Sequence, residues 1–92
     1  MPLCAVVYYY RAITYDEYNQ IDKAIEDYTV CLELNPEYAM GYGSRGIVYY
    51  SIGKFAEAIS DLEYYLVLEP NSPDRIRIEN AITQAKLKVK KL

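Results

Sequence analysis

Residues 39–72 read AMGYGSRGIVYYSIGKFAEAISDLEYYLVLEPNS, and residues 5–38 read AVVYYYRAITYDEYNQIDKAIEDYTVCLELNPEY. Set against each other, these two stretches of 34 agree at 11 positions. The identities are Ala5/Ala39, Tyr8/Tyr42, Arg11/Arg45, Ile13/Ile47, Tyr15/Tyr49, Ala24/Ala58, Ile25/Ile59, Asp27/Asp61, Leu32/Leu66, Leu34/Leu68 and Pro36/Pro70. Unrelated stretches of this length would share about two, and a fixed period in this range marks stacked structural repeats.

Each unit reads as two helices. In the second unit the first helix runs from about Tyr38 to Ile52 and breaks at Gly53-Lys54, where a glycine takes the left-handed conformation that ends a helix. The next helix runs from about Phe55 to Leu68, and Pro70 and Pro73 stop it because proline cannot continue the backbone ladder. Asn19 stands where Gly53 does, and asparagine is the next most tolerant residue for that conformation. Ala58, Leu62, Tyr65 and Leu66 share one helix face, as do Ala24, Tyr28, Cys31 and Leu32. Helices approach closely only where the crossing residues are small, and Ala12, Gly46, Ala24 and Ala58 supply that smallness.

The signature of the second unit is Tyr42-x2-Arg45-Gly46-x2-Tyr49, Ala58-x3-Leu62, Pro70; the first reads Tyr8-x2-Arg11-Ala12-x2-Tyr15, Ala24-x3-Tyr28, Pro36. This pattern resembles the tetratricopeptide repeat (TPR). The resemblance covers residues 5–72. Arg11 and Arg45 depart from the usual Leu, Leu62 from an aromatic, and Cys31 and Tyr65 from a position that is usually Ala. Tyr65 there predicts a repacked interface with the last helix. The resemblance implies an all-α, right-handed superhelical solenoid of two antiparallel helix hairpins plus one C-terminal helix, five helices in all. The units are repeat 1 at 5–38, repeat 2 at 39–72 and a capping, solvating helix with a basic end at 73–92.

It also implies function: an adaptor or scaffold that binds a peptide or protein in a concave groove lined by the first helices. Carried onto this chain, the groove positions are Val6, Tyr9, Ile13, Asp16, Glu17, Met40, Gly43, Ile47, Tyr50 and Ser51, with Arg77 and Ala81 from the final helix. Tyr9 and Tyr50 have a second reading, in which they only cover neighbouring side chains. Some TPR domains grip a chaperone's C-terminal carboxylate with a lysine, asparagine and arginine clamp. Here Tyr10 and Ser44 stand at the asparagine place and Val6 and Met40 at the lysine place, which argues against heat-shock-protein tails because the charge-assisted donors are missing.

Arg11 and Arg45 each recur with an aspartate 16 residues on, Asp27 and Asp61. On opposite helices of one hairpin these predict an ion pair bracing each unit, with the arginine stem against tyrosine.

Composition excludes other chemistry. Among 92 residues there is no histidine and no tryptophan, and 12 are tyrosine. Triads and imidazole metal sites therefore have no base or ligand. Cys4 and Cys31 form no CxxC, and Cys31 reads as a small core residue. Two cysteines suit a reducing compartment, hence an expected cytoplasmic location. The apolar start lacks a basic leader, and no apolar run is long enough to span a membrane. No Walker loop, metal spacing or nucleophile elbow is present, so no enzyme activity, cofactor or metal is expected.

Charge is uneven. Residues 1–72 carry 11 acids and 4 bases, residues 73–92 carry 2 acids and 6 bases. The acidic body argues against nucleic acid, and the basic end reads as lysines favouring a helix C-terminus. The apolar segment at the start raises one alternative, a homodimer burying Leu3, Val6, Val7 and Tyr10 against themselves.

Overall fold

The computed structural model describes the backbone of residues 2–91 and the side chains of residues 4–91. Five helices follow one another: α1 (Pro2–Glu17), α2 (Ile21–Leu34), α3 (Ala39–Ser51), α4 (Phe55–Leu68) and α5 (Arg75–Lys90). Among the described residues there is no strand. Short turns join α1 to α2 and α3 to α4 as hairpins, and α4 packs on α5.

The hairpin turns have one design. Asn19 (φ 61°) and Gly53 (φ 82°) both adopt the left-handed conformation. The Asn19 N–H donates to Asp16 O at 2.9 Å and the Gln20 N–H to Tyr15 O at 2.8 Å. One period later, Gly53 N–H donates to Tyr50 O at 3.1 Å and Lys54 N–H to Tyr49 O at 2.9 Å. This pair of bonds satisfies carbonyls that a helix end otherwise leaves open.

The molecule measures 38 × 30 × 19 Å. Its thinnest dimension is about two helix diameters, so the helices form two layers. The core is accordingly split. Ala5, Tyr9, Ala12, Ala24, Tyr28, Cys31 and Val48 form one buried cluster, and Leu62, Ile78 and Ile82 form another. Ala12, Ala24 and Ala58 are fully buried at the crossings. A Cβ on Gly46 would stand 2.8 Å from Leu62 Cδ2, so α3 and α4 meet closely only because residue 46 has none.

On the opposite side from the groove described below, each hairpin carries an arginine. Arg11 Nε lies 2.6 Å from Asp27 Oδ2 and its Nη2 3.0 Å from Oδ1. Arg45 repeats this at 2.7 and 2.8 Å on Asp61, and its Nη1 also donates to Thr29 Oγ1 at 3.1 Å. That extra bond reaches from α3 back to α2 and so links the two repeats. Each guanidinium lies between tyrosine rings: Arg11 is 5.4 Å from Tyr8 and 5.7 Å from Tyr15, and Arg45 is 6.0 Å from Tyr42 and 5.7 Å from Tyr49. Such contacts are within cation–π range. The hydrogen bond from each arginine to its aspartate is the main reason its pKa is raised.

The α5 helix turns Ile78, Ile82 and Ala85 inward. Its outer face is held to the body by Lys86, 3.2 Å from Glu63. At the other end Val7 and Tyr10 are exposed and Val6 is half-buried, while the side chain of Leu3 lies outside the described residues.

Candidate functional site

A cavity of about 380 Å³ opens between α1, α3 and α5. From α1 come Ile13 and Asp16; from α3 Met40, Gly43, Ser44, Ile47 and Val48; from α5 Arg77, Ile78 and Ala81, with Asp74 just before it. Tyr28 and Tyr65 reach it from the second helices of the two hairpins. The α3 residues 40, 43, 44 and 47 are spaced as one helix stripe, and 74, 77, 78 and 81 repeat that stripe 34 residues later. The α5 helix therefore stands where the first helix of a third hairpin would stand, and the period runs on beyond residue 72.

The wall is mostly aliphatic and its floor is polar. Tyr28 is fully buried, and its phenol is pushed up to about 12, first by burial and then by the nearby charge of Asp16. The Tyr65 hydroxyl and Ser72 Oγ are 2.6 Å apart, which fixes the ring across the groove. Tyr9 Oη lies 3.4 Å from Ser44 Oγ. Burial also pushes up the Cys31 thiol, which keeps it protonated and unreactive.

The structure brings together Ile13, Asp16, Met40, Gly43, Ile47, Arg77 and Ala81 from the residues expected in the groove. Others stand elsewhere. Tyr9 is 4% exposed and packs among Tyr10, Tyr28 and Tyr38, with centroids 5.2, 6.0 and 5.2 Å away. It is a core residue, because α1 turns this position toward α2 and the loop before α3. Tyr50 lies edge-on against Phe55 at 5.4 Å, since the last turn of α3 faces the start of α4. Ser51 donates to Val48 O at 2.7 Å. Val6, Glu17, Tyr50 and Ser51 do not line the cavity.

Sequence reasoning missed Tyr28, Ser44, Val48, Tyr65, Asp74 and Ile78 as lining residues. Two signals were available. Ser44 falls between Met40 and Ile47 on the same stripe, and a mid-helix glycine at 43 leaves room for the large residue 22 positions on, Tyr65.

Among the described residues no group of three His, Cys, Asp or Glu is placed to hold a metal, and no helix is long and apolar enough to cross a membrane.

Comparison with known proteins agrees with this geometry. The TPR repeat-containing thioredoxin TDX of Arabidopsis thaliana is 36% identical over 61 residues, which is 66% of this chain and 16% of that protein. The first TPR of Spaghetti (RPAP3), solved bound to the HSP90 peptide SRMEEVD, superposes with a TM-score of 0.83 at 27% identity. It covers 94% of this chain, and the match covers 66% of the neighbour. The second TPR domain of human RPAP3, in complex with the HSP70 peptide SGPTIEEVD, gives a TM-score of 0.77 at 27% identity, over 89% of this chain and 66% of that one. The chain spans between 4% and 16% of the length of the curated relatives it matches. The family model described as tetratricopeptide repeat matches residues 15–83, from the last turn of α1 into α5. With that match over most of its length, the chain belongs to the tetratricopeptide repeat family.

Proposed function

We propose that this chain is a protein-interaction module, an adaptor or scaffold, that seats a peptide or protein segment in the cavity between α1, α3 and α5. The observation that carries the reading is the aliphatic wall itself. Met40 and Ile47 are exposed large side chains beside Tyr28 and Tyr65, in a concave site whose charged groups stand at the rim. Solved relatives hold heat-shock-protein peptides, which supports a peptide as the occupant class. At the positions weighed for a carboxylate clamp this chain offers Val6, Tyr10, Met40 and Ser44, so any tail it holds is gripped by other means. The proposal includes no catalysis and no nucleic acid, and a cytoplasmic location. A homodimer through Val6, Val7 and Tyr10 gains no support from the relatives.

The test is capture of partners by the immobilised chain, compared with Ile47→Asp and Met40→Asp. Both sites are exposed, so circular dichroism should show unchanged helices. Loss of one partner in both variants is the expected result. Unchanged capture would sink the groove and move the site to the convex face or to the lysines of α5. Tyr9→Ala is unsuited to this purpose, because the ring is buried and its removal costs folding.

A further inference from the structure

The rim of the cavity carries charges that the fold does not use. Asp16 closes the α1 side and, among the described residues, makes no ion pair. Arg77 is the one cation among the lining residues, and Asp74 lies beside it, with Arg77 Nη2 3.8 Å from Asp74 Oδ1. The lining thus holds two carboxylates and one guanidinium, and the guanidinium is already offset. Residues 1–72 are acidic as well, with 11 acids against 4 bases, while residues 73–92, which include α5, carry 6 bases against 2 acids. Between the rims the wall is aliphatic, with Ile13 half-buried and Met40 and Ile47 exposed.

Resting on the groove reading above, the geometry points to one class of occupant: a peptide segment that seats an aliphatic side chain among Ile13, Met40 and Ile47 and places a lysine or arginine against Asp16. The two contacts have separate roles. The aliphatic anchor supplies burial, and the cation supplies orientation and partner choice. An acidic tail of the kind held by the solved neighbours meets the wrong sign at Asp16, because it brings its carboxylates to a carboxylate unpaired among the described residues. Field and contact act together on the α1 and α3 side, since exposed charges are felt over about 8–10 Å in physiological salt and residues 1–72 are net acidic.

The test is fluorescence anisotropy with the full chain and two labelled peptides, SRMEEVD and its charge-reversed, C-terminally amidated counterpart SRMKKVK. The charge-reversed peptide is expected to bind at least about ten-fold tighter at low salt. Asp16→Asn should shrink that ratio several-fold and leave the thermal midpoint unmoved, because Asp16 is exposed. Ile47→Asp should remove binding. Three results would overturn the inference: tighter or equal binding of SRMEEVD, a ratio indifferent to Asp16→Asn, or binding that survives Ile47→Asp and is therefore surface charge alone. Equal binding of both peptides, lost together in Ile47→Asp, overturns the charge preference and leaves the groove reading standing. No binding of either peptide, while Ile47→Asp still releases a captured protein, has the same meaning.

Discussion

The ring of Tyr65 lies against the backbone of Gly43, so closely that a Cβ on the glycine would stand 3.1 Å from Tyr65 Cδ1. One period earlier the sizes are exchanged. Tyr9 stands at the place of Gly43, and Cys31 at the place of Tyr65. Each repeat thus carries one tyrosine at this level of its hairpin, contributed by the first helix in one case and by the second in the other.

That exchange makes the effect of Gly43→Ala depend on Tyr65. Alanine gains about 1 kcal/mol over glycine as a helix former. In the native chain the gain should vanish, because Tyr65 is held to Ser72 and its ring cannot yield freely. With Tyr65→Ala as background the gain should appear in full. Urea unfolding of the four proteins in this cycle should show a coupling above about 0.5 kcal/mol, and additive effects would refute the account.

Gly46 should be less forgiving than Gly43. A Cβ there meets Leu62 Cδ2 at 2.8 Å, Leu62 Cγ at 2.9 Å and Asp61 Cβ at 3.1 Å, and Leu62 is fully buried. Gly46→Ala should destabilise by about 1–3 kcal/mol through overpacking. Gly53→Ala should cost about 1 kcal/mol for a different reason: nothing lies within 4 Å of its Cβ position, but φ is +82°. Gly53→Asn should cost less, as Asn19 already holds the matching turn. Thermal melts of the three variants rank them directly.

The two arginine pairs should differ in weight. Side-chain exposure is 55% for Arg11 and 17% for Arg45, and Arg45 alone also bonds Thr29. Arg45→Met should cost about 2–3 kcal/mol, since it leaves the carboxylate of Asp61 buried without its charged donor. Arg11→Met should cost clearly less. Guanidinium midpoints at neutral pH decide between this order and its reverse.

Alkali should weaken the fold through Tyr28. Its folded pKa of about 12 exceeds the ordinary value of 10.0, so the folded chain holds the proton more tightly. Its contribution is fully present below the unfolded pKa and is lost as pH rises through the folded one. Stability should therefore fall between pH 10 and 12, and Tyr28→Phe should make that fall shallower. Burial raises Tyr38 and Tyr42 too, so a residual slope is expected in the variant. A slope unchanged by Tyr28→Phe would contradict the assignment.

The fold was legible because its punctuation is chemical. Gly53, Asn19, Pro36 and Pro70 each forbid or require one backbone conformation, and the helix ends follow from them. The groove was legible only in part. Carrying positions from one repeat to the next treats equivalent residues as doing equivalent things. That holds for Ile13 and Ile47. It fails for Tyr9, which is core, and for Tyr65, which crosses from the second helix into the groove. Asp74 and Ile78 escaped because only Gly43 and Ile47 of the stripe were carried one period on, to Arg77 and Ala81. The signature residues themselves end at residue 72, and α5 keeps the spacing of the stripe without its identities.

The split core has a consequence for binding. One wall of the groove is α5, which packs on α4 and turns Ile78, Ile82 and Ala85 inward. An occupant that touches both α3 and α5 then braces the α5 wall, and its affinity and the persistence of that helix become a single measurable quantity. Amide hydrogen exchange in α5 should slow in proportion to occupancy, while the amides of α1 and α2 scarcely change.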